Sequence, residues 1–349
     1  MKAWLLEDIG NIKYKEVLKP QISENEVLVQ VKAAGICGSD IPRIYQTGAH
    51  QMPLIPGHEF SGQVVQTGEN ADAKWRNKRV GIFPLIPCWK CIACIKGQYE
   101  LCRNYSYLGS RRDGGFAEYV AVPERNLIEL PENVSYEEAA MLEPMSVACH
   151  ALRRVKVSPD DTVAVCGLGT IGMFIVMLLL ERNVKNLLVI GNKAFQKEKI
   201  LKLGIKEEQY CDSKCENAEV WLDKKTGGIG ADVFFECVGK NETCSLAINH
   251  AAPGGKVCLV GNPYSDMLLD KQVYWKILRN QLTVTGTWNS SFTGEVTDDW
   301  HMIVHLLKEK KIDPAQFISH RYTLEELNRG FEIMRDKSED YIKIMAVME

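Results

Sequence analysis

Cys37, His58 and Glu143 are the groups in this chain best suited to hold a metal ion that still does chemistry. Zinc takes thiolate and imidazole readily, and a catalytic zinc usually keeps three protein ligands and leaves a fourth position to water or substrate. Cys37 and His58 lie in GICGSDIPRIYQTGAHQMPLIPGHEFSG, residues 35–62, where glycines at 35, 38, 57 and 62 let the backbone turn tightly beside both side chains. Glu143 is distant in sequence, in MLEPMSVACH, where Pro144 marks the start of a predicted helix that would present the carboxylate on a stiff backbone. Glu59 follows His58 directly and is a candidate base behind the ligands or an alternative ligand; the plain alternative is a carboxylate that only pairs with a cation. Ser39, two residues past Cys37, is placed to carry a proton away from a metal-bound alcohol; the plain alternative is a turn cap.

A second metal site is written into PCWKCIACIKGQYELC, where Cys88, Cys91, Cys94 and Cys102 form C-x2-C-x2-C-x7-C. Four soft ligands at this spacing suit a closed tetrahedral site without an open position, hence a structural zinc. An iron–sulfur cluster is the competing occupant, but the last gap is long and no second cysteine cluster accompanies it. The expectation is two zinc ions per chain.

A cofactor site follows from Gly167-Leu168-Gly169-Thr170-Ile171-Gly172, which comes after the apolar run Thr162 to Cys166 and opens a predicted helix over 170–182. The first glycine permits the turn, the second admits a pyrophosphate, the third lets helix pack on strand, and the helix N-terminus offers free N–H groups to phosphate. An NAD site commonly has an acidic residue about 20 residues further on, to accept the ribose hydroxyls. NLLVIGNKAFQK instead puts Gly191 there, followed by Asn192 and Lys193, so NADP(H) is favoured over NAD(H).

The elements that must position these groups fall into two textures. At 349 residues the chain is long enough for two cores. Residues 1–130 carry short β-rich runs such as EVLVQVKAAG and GGFAEYVAVP, separated by Gly, Pro and Asn. From about 150, strand, glycine turn and helix alternate, which implies a parallel sheet with helices on both faces. Beyond about 286 two helical stretches lead to a last apolar strand, YIKIMAVME, expected to pack on the first domain. The reading is an α/β chain with one domain at 1–149 and 287–349, carrying a cysteine lobe at 84–104, and a second at 150–286.

Composition bounds the partners. A 46% hydrophobic and 25% charged chain with a net charge of -3 has no basic excess to attract nucleic acid or anionic lipid. The longest apolar run, IGMFIVMLLL at 171–180, falls short of the about 20 residues a bilayer needs and reads as a buried helix. No charged n-region followed by an apolar h-region opens the chain. Twelve cysteines then point to metal binding and reduced thiols in a cytoplasm rather than to disulfides. His150, His250, His301, His305 and His320 have no ligand-like partners in sequence.

These residues together resemble the zinc-dependent medium-chain alcohol and polyol dehydrogenases along essentially the whole chain. CGSD at 37–40, GHEFSG at 57–62, the cysteine lobe, DGGFAEY at 113–119, LEP at 142–144 and GLGTIG occur in the family's order. Glu143 in place of a cysteine is similar to the sorbitol dehydrogenase branch, and SDIPRIYQTGAH with GSRRDGGFAEYV to a branch acting on polyol phosphates. The resemblance implies a GroES-like β-rich catalytic domain, a doubly wound Rossmann domain, and a homodimer or homotetramer. It implies hydride transfer from a polyol phosphate, galactitol 1-phosphate giving L-tagatose 6-phosphate, to NAD(P). Gly191 departs from that branch, whose members more often carry Asp. A phosphorylated substrate needs fixed cations, and Arg43, Arg111 and Arg112, with His50, are the available ones near the motifs. The competing substrates are a free polyol such as sorbitol or a simple secondary alcohol. A silent nucleotide-binding regulator would have no use for an open metal position.

Overall fold

The computed structural model describes residues 1–349, which divide into two compact units, Met1–Ser146 with Ser290–Glu349 and Val147–Asn289.

The first unit is built on a seven-stranded sheet. Its path runs Ile318–Tyr322, Lys343–Val347, Glu26–Ile36, Glu59–Thr67, Arg79–Ile82 and Leu127–Glu129, with Tyr119–Pro123 also pairing with Glu26–Ile36. The strand Glu26–Ile36 is the centre of this sheet. Its Val, Leu and Ile side chains suit a pleated surface buried on both faces, and nearly every position is inaccessible. It runs antiparallel to three neighbours, and two of them matter for the site: Gly35 lies opposite Glu59, and Ile36 lies opposite Ile344. Cys37, His58 and Lys343 therefore all stand at one end of adjacent strands, although they are far apart in sequence.

Glu143 is brought to this unit by helices. Ser135 starts the helix Tyr136–Ala140 with a capping box, its hydroxyl accepting from Glu138 N (3.1 Å) while its own N–H donates to the Glu138 carboxylate (2.6 Å). Ser61 Oγ donates to Tyr136 O at 2.6 Å, which ties that helix to the strand Glu59–Thr67. The next helix, Leu142–Val155, carries Glu143 in its first turn, where a negative side chain is favoured. The cysteine lobe is a loop closed at its base by the two-stranded pairing of Leu85–Ile86 with Ser106–Tyr107.

The second unit is a six-stranded parallel sheet in the order Tyr210–Asp212, Asn186–Gly191, Thr162–Cys166, Ala231–Glu236, Ala251–Leu259, Thr283–Gly286. The chain builds from the middle to one edge, returns and builds to the other, which is the doubly wound arrangement. Strand order reverses between Thr162–Cys166 and Ala231–Glu236, and ligands of such sheets bind outside the carboxyl ends of the strands at that reversal. The apolar run 171–180 is a helix, Thr170–Glu181, buried from Gly172 through Leu179. No helix is long and apolar enough to cross a membrane.

Candidate active site

Cys37 Sγ, a His58 ring nitrogen and a Glu59 carboxylate oxygen lie within 4.8 Å of one another. They are a thiolate, an imidazole and a carboxylate, a donor set that zinc accepts, and their arrangement follows from the strand register. Asp40, fully buried, organises the group. It accepts from Cys37 N at 3.0 Å and from Arg43 Nη1 at 2.5 Å, and its Oδ1 stands 3.3 Å from His58 Nδ1 without hydrogen-bond alignment. That leaves His58 Nε2 for a metal, with a carboxylate behind the ring to fix its orientation. Burial opposes a charge on His58, yet Asp40 and Cys37 outweigh it and hold the metal-free ring well above its ordinary pKa. Burial likewise works against the Asp40 anion, but His58 and Arg43 keep its carboxyl below the usual range.

Glu59 is buried and joined to Lys343, whose Nζ donates to Glu59 Oε2 at 2.5 Å and to Ile36 O at 3.1 Å. Burial disfavours the ammonium, but Glu59 and Cys37 more than compensate and raise its pKa. A side chain at Gly35 would press on this pair, since a Cβ there would lie 2.6 Å from Glu59 Oε2. The position needs glycine because two backbones and an ion pair share one space. Sequence reasoning identified neither Lys343 nor Asp40: a lysine in an apolar terminal strand carries no signal until strand pairing brings it to Ile36 and Glu59.

Glu143 is not in the 4.8 Å cluster. Its Oε1 accepts from Tyr107 Oη at 3.2 Å, and burial pushes its carboxyl up to about 7, with His58 opposing and Glu59 adding to the shift. The structure thus gathers Cys37, His58 and Glu59, with Glu143 held by Tyr107 beside them. Tyr107 also meets the His58 ring edge to face, with centroids 5.8 Å apart. Ser39 is exposed, and its Oγ donates to Cys37 Sγ at 3.4 Å.

Two of the three candidate arginines are brought together with the candidate histidine. Burial, then the charges of Arg111 and Arg43, lower the pKa of His50, so these three groups share one region. Arg111 lies over the Tyr105 ring at 4.6 Å and its backbone N–H donates to Tyr107 O at 2.8 Å. Arg43 reaches the same region from Asp40. Arg112 does not join them: its Nη2 donates to Glu26 Oε1 at 2.5 Å, and Glu26 is further fixed by Ser23 N at 2.9 Å. Consecutive residues leave the chain in different directions, so Arg112 is a structural cation here.

The four lobe cysteines also lie with all sulfurs within 4.8 Å of one another. Cys91 Sγ is 3.5 Å from Cys94 Sγ and 3.8 Å from Cys102 Sγ, and Cys88 Sγ is 4.0 Å from Cys94 Sγ. Sulfurs about 2.3 Å from one tetrahedral zinc stand about 3.8 Å apart, so the thiols fit the ion. The Cys94 N–H draws the Cys91 thiol down to about 6, while burial pushes Cys94 up to about 12. No disulfide joins any of the twelve cysteines, and of the seven outside the two metal sites only Cys215 is exposed.

In the second unit, Gly167 takes φ +97° directly after the strand Thr162–Cys166, and Gly169 caps the helix Thr170–Glu181. A Cβ at Gly172 would fall 1.9 Å from Gly167 O, which is why the third glycine is needed. Thr170 and Ile171 follow in the first turn, and the N-terminus of such a helix suits a pyrophosphate. Gly191 ends the strand Asn186–Gly191, and Asn192 and Lys193 follow before the helix Ala194–Lys202.

Comparison with known proteins agrees with both units. The family models for the alcohol dehydrogenase GroES-like domain and for zinc-binding dehydrogenase match residues 23–132 and 170–309. Galactitol 1-phosphate 5-dehydrogenase of Escherichia coli (strain K12) is 32% identical over 326 residues, covering 93% of this chain and 94% of its own. Sorbitol dehydrogenase of Arabidopsis thaliana is 31% identical over 354 residues, covering 99% and 94%. The crystal structure of galactitol-1-phosphate dehydrogenase from Escherichia coli superposes with a TM-score of 0.92 at 31% identity, covering 100% of both chains.

Proposed function

The chain belongs to the zinc-dependent medium-chain alcohol and polyol dehydrogenases, and from that premise we propose that it oxidises a polyol phosphate, galactitol 1-phosphate to L-tagatose 6-phosphate, with NADP(H) favoured over NAD(H). The observation that carries the phosphate is that the charges of Arg111 and Arg43 both act on His50, while Arg43 pairs with the same Asp40 that faces His58. Guanidinium groups bind phosphate with directed, charge-assisted hydrogen bonds, whereas a neutral polyol has no need of clustered cations.

Zinc held by Cys37, His58 and a carboxylate, Glu59 or Glu143, would supply the Lewis acidity that lowers the alcohol's pKa, and the dinucleotide would take the hydride. The chain's own groups do the rest. Asp40 stands 3.3 Å from His58 Nδ1, which leaves Nε2 for the metal. Lys343 pairs with Glu59 inside the protein. Ser39, exposed and next to Cys37, takes the alcohol proton outward, and Tyr107 fixes Glu143 by donating to it. Cys88, Cys91, Cys94 and Cys102 would hold a second zinc whose role would be to close the lobe.

A free polyol such as sorbitol is the second reading. It is favoured by the pairing of Arg43 with Asp40, which occupies part of one guanidinium. Assembly into a homodimer or homotetramer is supported by the edge strand Thr283–Gly286, which is hydrogen-bonded on one side and exposes Val284. Twelve cysteines without a disulfide support a reducing cytoplasm.

The test is reduction of NADP or NAD by the zinc-loaded protein with galactitol 1-phosphate, before and after chelation. Activity that is lost with the metal and returns with zinc supports the reading. Activity that survives complete metal removal refutes it.

A further inference from the structure

Gly191 ends its strand where dinucleotide sites often carry an acidic side chain, and the space that side chain would need is already filled. A Cβ at Gly191 would meet Tyr210 Oη at 2.8 Å, Leu168 Cδ1 at 2.9 Å and Tyr210 Cε2 at 3.2 Å. Tyr210 opens the adjacent parallel strand, with Tyr210 opposite Val189 and Asp212 opposite Gly191. Its phenol thus crosses in front of the strand end from the neighbouring strand.

The hydroxyl is also without a partner. Tyr210 is only 6% exposed, and its Oη is enclosed with no hydrogen bond. Buried hydroxyls nearly always find a partner, so a lone one beside a ligand site marks a bond completed by the ligand. Asp212 and Ser213 on the same strand end are engaged. Asp212 Oδ1 accepts from Lys214 N at 3.0 Å, and Ser213 donates to Gly191 O through its N–H (2.9 Å) and its hydroxyl (3.2 Å). Lys197 stands over the Tyr210 ring at 5.5 Å, its ammonium paired with Glu207. Burial, then Asp212, push the phenol up to about 12, so it remains a proton donor across the working range.

We propose that Tyr210 sets the dinucleotide preference: its ring takes the volume that an acidic residue at 191 would require, and its unpartnered hydroxyl donates to the 2′-phosphate of NADP(H). This rests on the reading of residues 167–172 as a dinucleotide site. The donation matches the charge of the ligand, because a phosphate accepts where a ribose hydroxyl would instead be served by a carboxylate.

Fluorescence titration of the purified protein with NADPH and with NADH tests it. Tyr210→Phe keeps the ring and removes the donor, so NADPH affinity should fall about tenfold or more while NADH affinity stays within about twofold. The melting temperature of the ligand-free variant should not fall, because a buried hydroxyl without a partner has been removed. Gly191→Asp alone should gain no NADH affinity, whereas Gly191→Asp with Tyr210→Ala should gain it, the ring no longer standing in the way. If the parent binds NADPH and Tyr210→Phe weakens neither dinucleotide, or both alike, the dinucleotide site stands and the assignment of Tyr210 falls. A parent preference for NADH also overturns it. Binding of neither dinucleotide would bring down the cofactor site itself, and this inference with it.

Discussion

Lys343 Nζ lies 2.5 Å from Glu59 Oε2, and both side chains are shut off from solvent, at 2% and 1% exposure. Removing one partner of such a pair leaves a buried charge uncompensated, at about 3–5 kcal/mol. Lys343→Met should therefore lower the stability of the zinc-free protein by that order. With zinc loaded, the metal's charge offsets the Glu59 carboxylate, and the loss should be smaller. Thermal melts with and without zinc check this; equal losses in both states would show that Glu59 gains nothing from the metal.

The carboxylate ligand is testable in the same way. Glu59 stands within 4.8 Å of the Cys37 and His58 donors, whereas Glu143 is held by Tyr107. Glu59→Gln is expected to weaken catalytic-site zinc by about tenfold or more, the loss found when metal surroundings are altered, with Glu143→Gln costing less. Competition with a chromophoric chelator measures both. The opposite ranking would give the ligand role to Glu143, as the sequence alone suggests.

Zinc binding at this site should strengthen with pH. In the metal-free protein Asp40 and Cys37, against burial, hold His58 well above its usual pKa, so the ring keeps its proton. A ring must lose that proton to bind metal, and the thiol must also ionise. Because the folded-state pKa is raised, proton competition is strongest at low pH and fades as pH rises towards that pKa. Affinity measured between about pH 6 and about pH 8 should climb steadily, with proton release on binding. A flat profile would contradict the protonated His58.

The lobe should behave as an independent zinc holder. Cys91→Ser removes the sulfur that stands 3.5 Å and 3.8 Å from its neighbours. Metal analysis should find the zinc content falling from two per chain to one, with a lowered melting temperature, because structural zinc contributes folding energy directly. Retention of both ions would show that the four thiols are not a single site.

The sequence made the glycine-framed motifs readable because each is local. The four lobe cysteines and the turn at Gly167 carry their geometry in nearby residues, Cys37 and His58 each stand in a glycine-framed motif although strand pairing is what joins them, and the strand–turn–helix alternation announced the parallel sheet. Groups delivered by register were not readable. Lys343 reaches Glu59 because its strand pairs with Ile36, and Tyr210 reaches Gly191 because two short strands lie side by side. Arg112 shows the converse: it shares a motif with Arg111, yet Glu26 holds it elsewhere. Spacing identifies ligands within a turn, while charge partners across a sheet depend on pairings that no local pattern states.

The measurement that bears most directly on the account is the ratio of kcat/KM for galactitol 1-phosphate to that for galactitol, in the parent protein and in Arg111→Ala. The account predicts a ratio well above one in the parent, falling about tenfold or more in the variant through the phosphate ester alone, since a lost charge-assisted bond is worth at least that much. A ratio near one in the parent, or equal losses on both substrates in the variant, would contradict the polyol phosphate assignment and leave a zinc-dependent dehydrogenase of unphosphorylated alcohols.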